Sequence, residues 1–172
     1  QAMLDRWFRP DRGLLVMLLR PSAALYGVLQ QLSRRSQERQ AATCRQPDCP
    51  VLVVGNLIVG GAGKTPTTIA LVQALKAAGW SPGVVSRGHG RRGEAVCAVA
   101  LGSSATEVGD EPLLIHRRSG APVVVGRDRV AAALHLQVLH PEVDVIVADD
   151  GLQHRRLQRD IELVVFDERG CG

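Results

Sequence analysis

Along the first 40 residues, apolar positions recur at three- and four-residue intervals: Leu14, Leu15, Leu18, Leu19, Leu25, Tyr26, Leu29 and Leu32. That spacing predicts a helix with a single apolar stripe. A polar segment from Ser36 to Pro50 follows, and then the period changes. From Val51 onward, short apolar, β-branched runs alternate with helical patterns. Val51–Val54, Gly83–Ser86, Val96–Leu101, Pro122–Val125, Val143–Ala148 and Ile161–Phe166 read as strands. Thr65–Gly79, a stretch starting near Asp110, and another from Asp128 to His140 read as helices. Strands apolar throughout, separated by helices, are what a parallel sheet covered on both faces requires. The expected fold is therefore α/β, a mostly parallel sheet covered by helices. Residues 1–40 form a helical appendage with the start of a linker, and residues 41–172 form the main lobe. No internal repeat or low-complexity tract interrupts the pattern.

Composition sharpens this only in part. Apolar residues make up 45% and charged residues 22% of the 172, an ordinary globular balance. Aromatics reach only 3%, too few for a base-stacking platform, so nucleic acid is not the expected partner. The net charge of +4 favours an anionic partner without choosing among phosphates and lipids. Cys44, Cys49, Cys97 and Cys171 show neither metal-ligand nor disulfide spacing and read as free thiols.

Charge also changes the picture of the first helix. Arg6, Arg9 and Arg12 precede it, Arg34, Arg35 and Arg39 follow it, and Trp7 and Phe8 stand at its front edge. An apolar stripe, edge aromatics and flanking arginines suit a helix lying in a bilayer interface. The same stripe would also serve a helix packed on the domain or on a second copy. Arg20 and Pro21 in mid-stretch argue against spanning, and no signal-peptide cleavage pattern follows.

The chemistry concentrates at strand ends. After the first strand comes Gly60-Gly61-Ala62-Gly63-Lys64-Thr65-Pro66, opening a helix. Glycines let backbone amides approach phosphate oxygens, and the helix start adds its positive end. Lys64 would reach the β- and γ-phosphates, and the Thr65 hydroxyl would take a magnesium position. The strict phosphate-loop pattern wants glycine where Ile58 stands, so the loop is of a variant kind, without the lysine such variants carry at the position of Val59. The strand 143–148 ends in Asp149-Asp150-Gly151 on the same sheet edge. Those carboxylates either share a magnesium ion with Thr65 or cap a turn. Arg87, in Ser86-Arg87-Gly88-His89-Gly90, either meets a phosphate or is a solvated loop arginine. Asp110, before Glu111 and Pro112, reads by itself as a helix cap, with a general base as the alternative.

Together these segments resemble the tetraacyldisaccharide 4′-kinases of lipid A synthesis. The resemblance runs from Gly55-Asn56-Leu57 and the phosphate loop through Ser86–Gly90, Gly109-Asp110-Glu111-Pro112 and Asp149-Asp150-Gly151-Leu152-Gln153-His154. It implies transfer of the ATP γ-phosphate, with Mg2+, to the 4′-hydroxyl of an acylated glucosamine disaccharide 1-phosphate. It implies a base role for Asp110, magnesium or active-site roles for Asp149 and Asp150, and substrate or active-site positions for Arg87, His89, Glu111, Gln153 and His154. It places the chain peripherally on the cytoplasmic face of the bacterial inner membrane. His89 stands where the family usually has tyrosine. Family members run to roughly twice this length, and the histidine that partners their base lies in the further lobe. The competing readings are a P-loop ATPase of the switch or metal-insertion type and a nucleotide-binding module without catalysis.

Overall fold

The computed structural model describes residues 21–23, 25–33, 35–36, 44–56 and 63–166. The chain divides into two compact units, Gln1–Arg39 and Gln40–Gly172. In the first, residues 21–23, 25–33 and 35–36 are helical. Leu25, Val28, Leu29 and Leu32 are exposed there, at the one-face spacing of a helix. Among the described residues no helix is long and apolar enough to cross a membrane. Leu14 to Leu19 and the arginines before them lie outside the described residues.

The second unit is built on a six-stranded sheet. Its elements in chain order are β1 (Val51–Asn56), α1 (Lys64–Ala77), β2 (Pro82–Ser86), β3 (Cys97–Ala98), α2 (Ala105–Val108), α3 (Asp110–Ser119), β4 (Val123–Val125), α4 (Arg129–Leu139), β5 (Val145–Asp149) and β6 (Ile161–Val165). The strands lie in the order β3-β4-β2-β5-β1-β6, parallel except at β3. The apolar runs sit at the centre because both their faces are covered. Ile146, Val53 and Val124 pack with Ala133 and Leu136 of α4 on one face. Val54, Val84, Val123 and Val147 pack with Val72 of α1 and Ile115 of α3 on the other.

One expected strand is not what its composition suggested. Of Val96–Leu101 only Cys97–Ala98 pairs, and it runs antiparallel to β4. The Val99 amide adds one bond to the Val123 carbonyl, and the chain then turns at Leu101, which is exposed. A short antiparallel strand of this kind closes the sheet edge against further pairing. The helix α2 was not anticipated, although Ser104 and Glu107 form a capping box that marks its start.

The fit between α4 and the sheet is close. A Cβ at Gly83 of β2 would stand 2.7 Å from Leu136 Cδ2 and 3.1 Å from both methyls of Val143. Gly83→Ala is therefore expected to overpack this contact and to cost about 1–3 kcal/mol. Urea unfolding of the chain measures it, and an unchanged midpoint would mean that α4 can withdraw freely from β2.

Candidate active site

In a parallel sheet the carboxyl ends of the strands share one edge, and their loops meet there. Register makes this specific. Val54 of β1 lies beside Asp149 of β5, and Val85 of β2 lies beside Ala148. The end of β5 thus stands between the phosphate-loop strand and the strand leading to Arg87.

Asp149 is 1% exposed. Its Oδ1 accepts a hydrogen bond from the Thr68 hydroxyl at 3.1 Å, and its Oδ2 accepts one from Ser86 at 3.3 Å. Burial pushes its carboxyl up to about 6, and the negative charges of Glu111 and Asp150 act in the same direction, against the two hydroxyls. Its side-chain hydrogen bonds are to neutral hydroxyls, so the charged form is held at a cost unless a cation joins it.

Asp150, the next residue, adopts a left-handed backbone at φ 52°, alone among the described non-glycine residues. The turn carries its side chain to Lys64, whose Nζ donates to Asp150 Oδ1 at 2.8 Å. Lys64 is the first residue of α1 rather than part of an open loop, and its side chain is only 19% exposed. Gly63 caps that helix at φ 74°, with no side-chain cap and no acidic residue in the first turn. Among the described residues the helix thus brings no carboxylate of its own to its start, and the anion that meets Lys64 there is Asp150. Thr65 is half-buried and Pro66 exposed, while Gly60, Gly61 and Ala62 lie outside the described residues.

Asp110 does not cap its helix. The N-cap of α3 is Gly109, with Asp110 the first helical residue and exposed. Gly109 has φ 93°, and a Cβ there would lie 2.9 Å from the His89 carbonyl oxygen and 3.0 Å from Gly88. Only glycine permits this backbone contact. It ties the start of α3, with Asp110 and Glu111, to the loop carrying Arg87 and His89. Both Glu111 and His89 are exposed.

A cavity of about 550 Å³ opens on this edge, lined by Arg87, Asp150, Gln153 and His154 of the expected set. Lys64, Thr65, Asp149, Asp110, Glu111 and His89 are not in its lining. Its other walls include Glu94, Val96, Arg127, Asp128, Arg129 and Arg156, none of which sequence reasoning singled out. Arg129 matters most among them. It is 3% exposed, and its Nη1 donates to the Gly126 carbonyl at 2.9 Å. Burial and the charge of Arg87 depress its pKa, while Asp150 and Asp149 attract it. The available signal was positional. Gly126-Arg127-Asp128-Arg129 directly follows a buried strand, on the same edge as the Lys64 helix start.

Comparisons with known proteins show the family. The family model described as tetraacyldisaccharide-1-P 4′-kinase matches residues 15–172. The tetraacyldisaccharide 4′-kinase of Methylibium petroleiphilum is 59% identical over 99% of this chain and 47% of its own length. That of Herminiimonas arsenicoxydans is 54% identical over 100% of this chain and 49% of its own. A crystal structure of Aquifex aeolicus LpxK, described as its "apo" form in complex with ATP, aligns with a TM-score of 0.72 at 29% identity. That alignment covers 91% of this chain and 50% of the Aquifex chain. The chain thus spans about half the length of the curated relatives it matches. With the Lys64 helix start, the paired aspartates and the α3 start all at one sheet edge, and with these matches along nearly its whole length, the chain belongs to the tetraacyldisaccharide-1-P 4′-kinase family.

Proposed function

We propose that this chain supplies the nucleotide-binding lobe of a kinase that moves the ATP γ-phosphate onto the 4′-hydroxyl of a tetraacylated glucosamine disaccharide 1-phosphate. The observation that carries the reading is the 2.8 Å contact between Lys64 and Asp150, which brings the phosphate-loop lysine and the acidic strand end to one point. Phosphoryl transfer asks a protein mainly for positioning and for charge to balance the phosphates. Lys64, Arg129 and Arg87 supply the positive charge, and the uncapped start of α1 adds its backbone amides.

The donor set fits magnesium. The Thr65 hydroxyl, Asp149 and Asp150 are hard oxygen ligands, and a buried carboxylate bonded only to neutral hydroxyls is suited to a cation. Magnesium sites beside nucleotides use one or two carboxylates, with phosphate oxygens and water supplying the rest. When bound there, the ion would neutralise developing charge on the β- and γ-phosphate oxygens. The acceptor hydroxyl gives its proton to the Asp110 carboxylate as its oxygen bonds to the γ-phosphorus. The bond from that phosphorus to the bridging oxygen breaks, and ADP leaves.

The test is incubation of the sequence, carried to the relatives' full length, with γ-radiolabelled ATP, magnesium and the lipid disaccharide. Label in the lipid is expected. Phosphate released into water at the same rate with and without acceptor would instead support an ATPase of the switch or metal-insertion type.

We also propose that residues 1–35 hold the lobe at the cytoplasmic face of the inner membrane. Support comes from the exposed Leu25, Val28, Leu29 and Leu32 and from the basic flanks. Each arginine near an anionic surface contributes on the order of 1 kcal/mol, so several together can retain a domain there. An acylated sugar stays in the bilayer, so the catalytic edge has to come to it. In liposome flotation the chain is expected to rise with anionic vesicles, less so at high salt, and to stay at the bottom without residues 1–35. Equal flotation of both forms would assign the helix to a protein contact instead.

A further inference from the structure

The turn that begins with the two aspartates ends at His154, and the ring of that histidine is committed to a backbone group. The main-chain N–H of Arg129, first residue of α4, donates to His154 Nε2 at 3.3 Å. The next two N–H groups of that helix, Val130 and Ala131, donate to Asp128 Oδ1 at 3.0 and 3.4 Å. Three amides that would otherwise lack partners are thereby satisfied by side chains, and α4 offers no free amides to an anion.

An imidazole nitrogen that accepts an N–H bears no proton, so this bond requires a neutral His154 with its hydrogen on Nδ1. Asp128 Oδ1 lies 3.7 Å from the same Nε2, beyond hydrogen-bond length, and Asp128 Oδ2 is taken by Arg156 at 3.0 Å. The histidine is itself anchored. Its own N–H donates to the Gly151 carbonyl at 3.0 Å, and its carbonyl accepts from Arg159 at 3.1 Å. Gly151 N–H in turn donates to Val54 of β1 at 3.3 Å. A chain of bonds thus runs from the strand before the phosphate loop, through the aspartate turn, to the residue bearing the buried Arg129 guanidinium.

We propose that His154 is a positioning residue: in its neutral form it fixes the first residue of α4, and so sets the Arg129 guanidinium relative to the carboxylates of Asp149 and Asp150. It neither shuttles a proton nor touches phosphate. The consequence for turnover rests on the kinase reading above; the hydrogen-bond assignment does not.

The experiment has two parts. In the chain itself, without nucleotide, nitrogen–proton correlation of the imidazole should find the proton on Nδ1 and none on Nε2. The Arg129 amide should shift in His154→Ala and recover in His154→Gln, whose amide oxygen can accept the same N–H. A proton on Nε2, or an Arg129 amide indifferent to both variants, overturns the proposal. In the full-length enzyme, His154→Ala should lower kcat roughly 10- to 100-fold, as small displacements of a charge-balancing group do. Because the loss acts through Arg129, His154→Ala combined with Arg129→Ala should be no slower than Arg129→Ala by itself. His154→Gln should keep the wild-type pH profile. Additive losses in the double variant, or a limb of the profile missing in His154→Gln, would make His154 an independent participant and defeat the positioning role. If wild type transfers no phosphate, the kinase reading fails, and the tautomer and amide measurements still decide for or against His154.

Discussion

Lys64→Ala is expected to reduce γ-phosphate transfer by at least on the order of 100- to 1,000-fold, the scale seen when one preorganised donor to a charged transition state is removed. The fold should survive. The Lys64–Asp150 pair has one partner 53% exposed, so its loss should change stability by less than about 1 kcal/mol. The variant also carries a binding signature. In the free site Lys64 neutralises Asp150, so nucleotide has to replace one partner of an existing ion pair. Without Lys64, Asp150 faces the phosphates uncompensated, and metal-free ATP should bind far more weakly than in wild type. Isothermal titration with and without magnesium measures this. Full transfer activity in a folded Lys64→Ala variant would remove the phosphate-loop assignment.

The second large effect belongs to Asp149. Its carboxyl is raised from an ordinary 3.8 to about 6, chiefly by burial. The folded chain therefore holds a proton there between roughly pH 4 and pH 6 that the unfolded chain has released. Below that window both states are protonated and Asp149 has no effect on stability. As pH rises through it, the fold must accept a buried charge, and by pH 8 the cost approaches about 3 kcal/mol at 1.36 kcal/mol for each pKa unit. Asp149→Asn removes the charge. The nucleotide-free variant should be more stable than wild type at pH 8, by about 1–3 kcal/mol after allowance for altered bonding to Thr68 and Ser86, and the gain should fade toward pH 4. Urea unfolding at the two pH values tests this. The same variant should lose magnesium-dependent transfer, because an amide is a poor ligand for a hard cation. Equal stability differences at both pH values would show that folding does not raise the Asp149 pKa.

How far the sequence disclosed all this depended on whether a feature was local. Val51–Val54 and Val143–Ala148 were readable because a strand buried on both faces must be apolar throughout, and only the ends moved by one to two residues. The Lys64-Thr65 helix start and the Asp149-Asp150 turn were readable because each is a contiguous motif. Val96–Leu101 misled because apolar composition does not say whether a partner strand is present. Asp110 misled in the opposite direction: an aspartate before a helix usually caps it, but here Gly109 takes the cap so that the backbone can pass close to Gly88. Arg129 left little trace. An arginine at a helix start looks like any solvated charge, and only the crossing of α4 over the sheet buries it beside Asp149 and Asp150.

The strand order has a consequence for how the molecule comes into being. β1, which leads into the phosphate loop, is among the earliest strands made, yet its two neighbours are β5 and β6, the latest of the described strands. While a ribosome is still building residues 57–144, β1 has no strand to pair with. β2 and β4 can associate first, since both precede β5 in the chain. Contacts so distant in sequence form slowly, because a long loop must close before they stabilise anything. The nucleotide edge is therefore among the last parts of the lobe to assemble, and until then the apolar β1 is a segment for chaperones to shield.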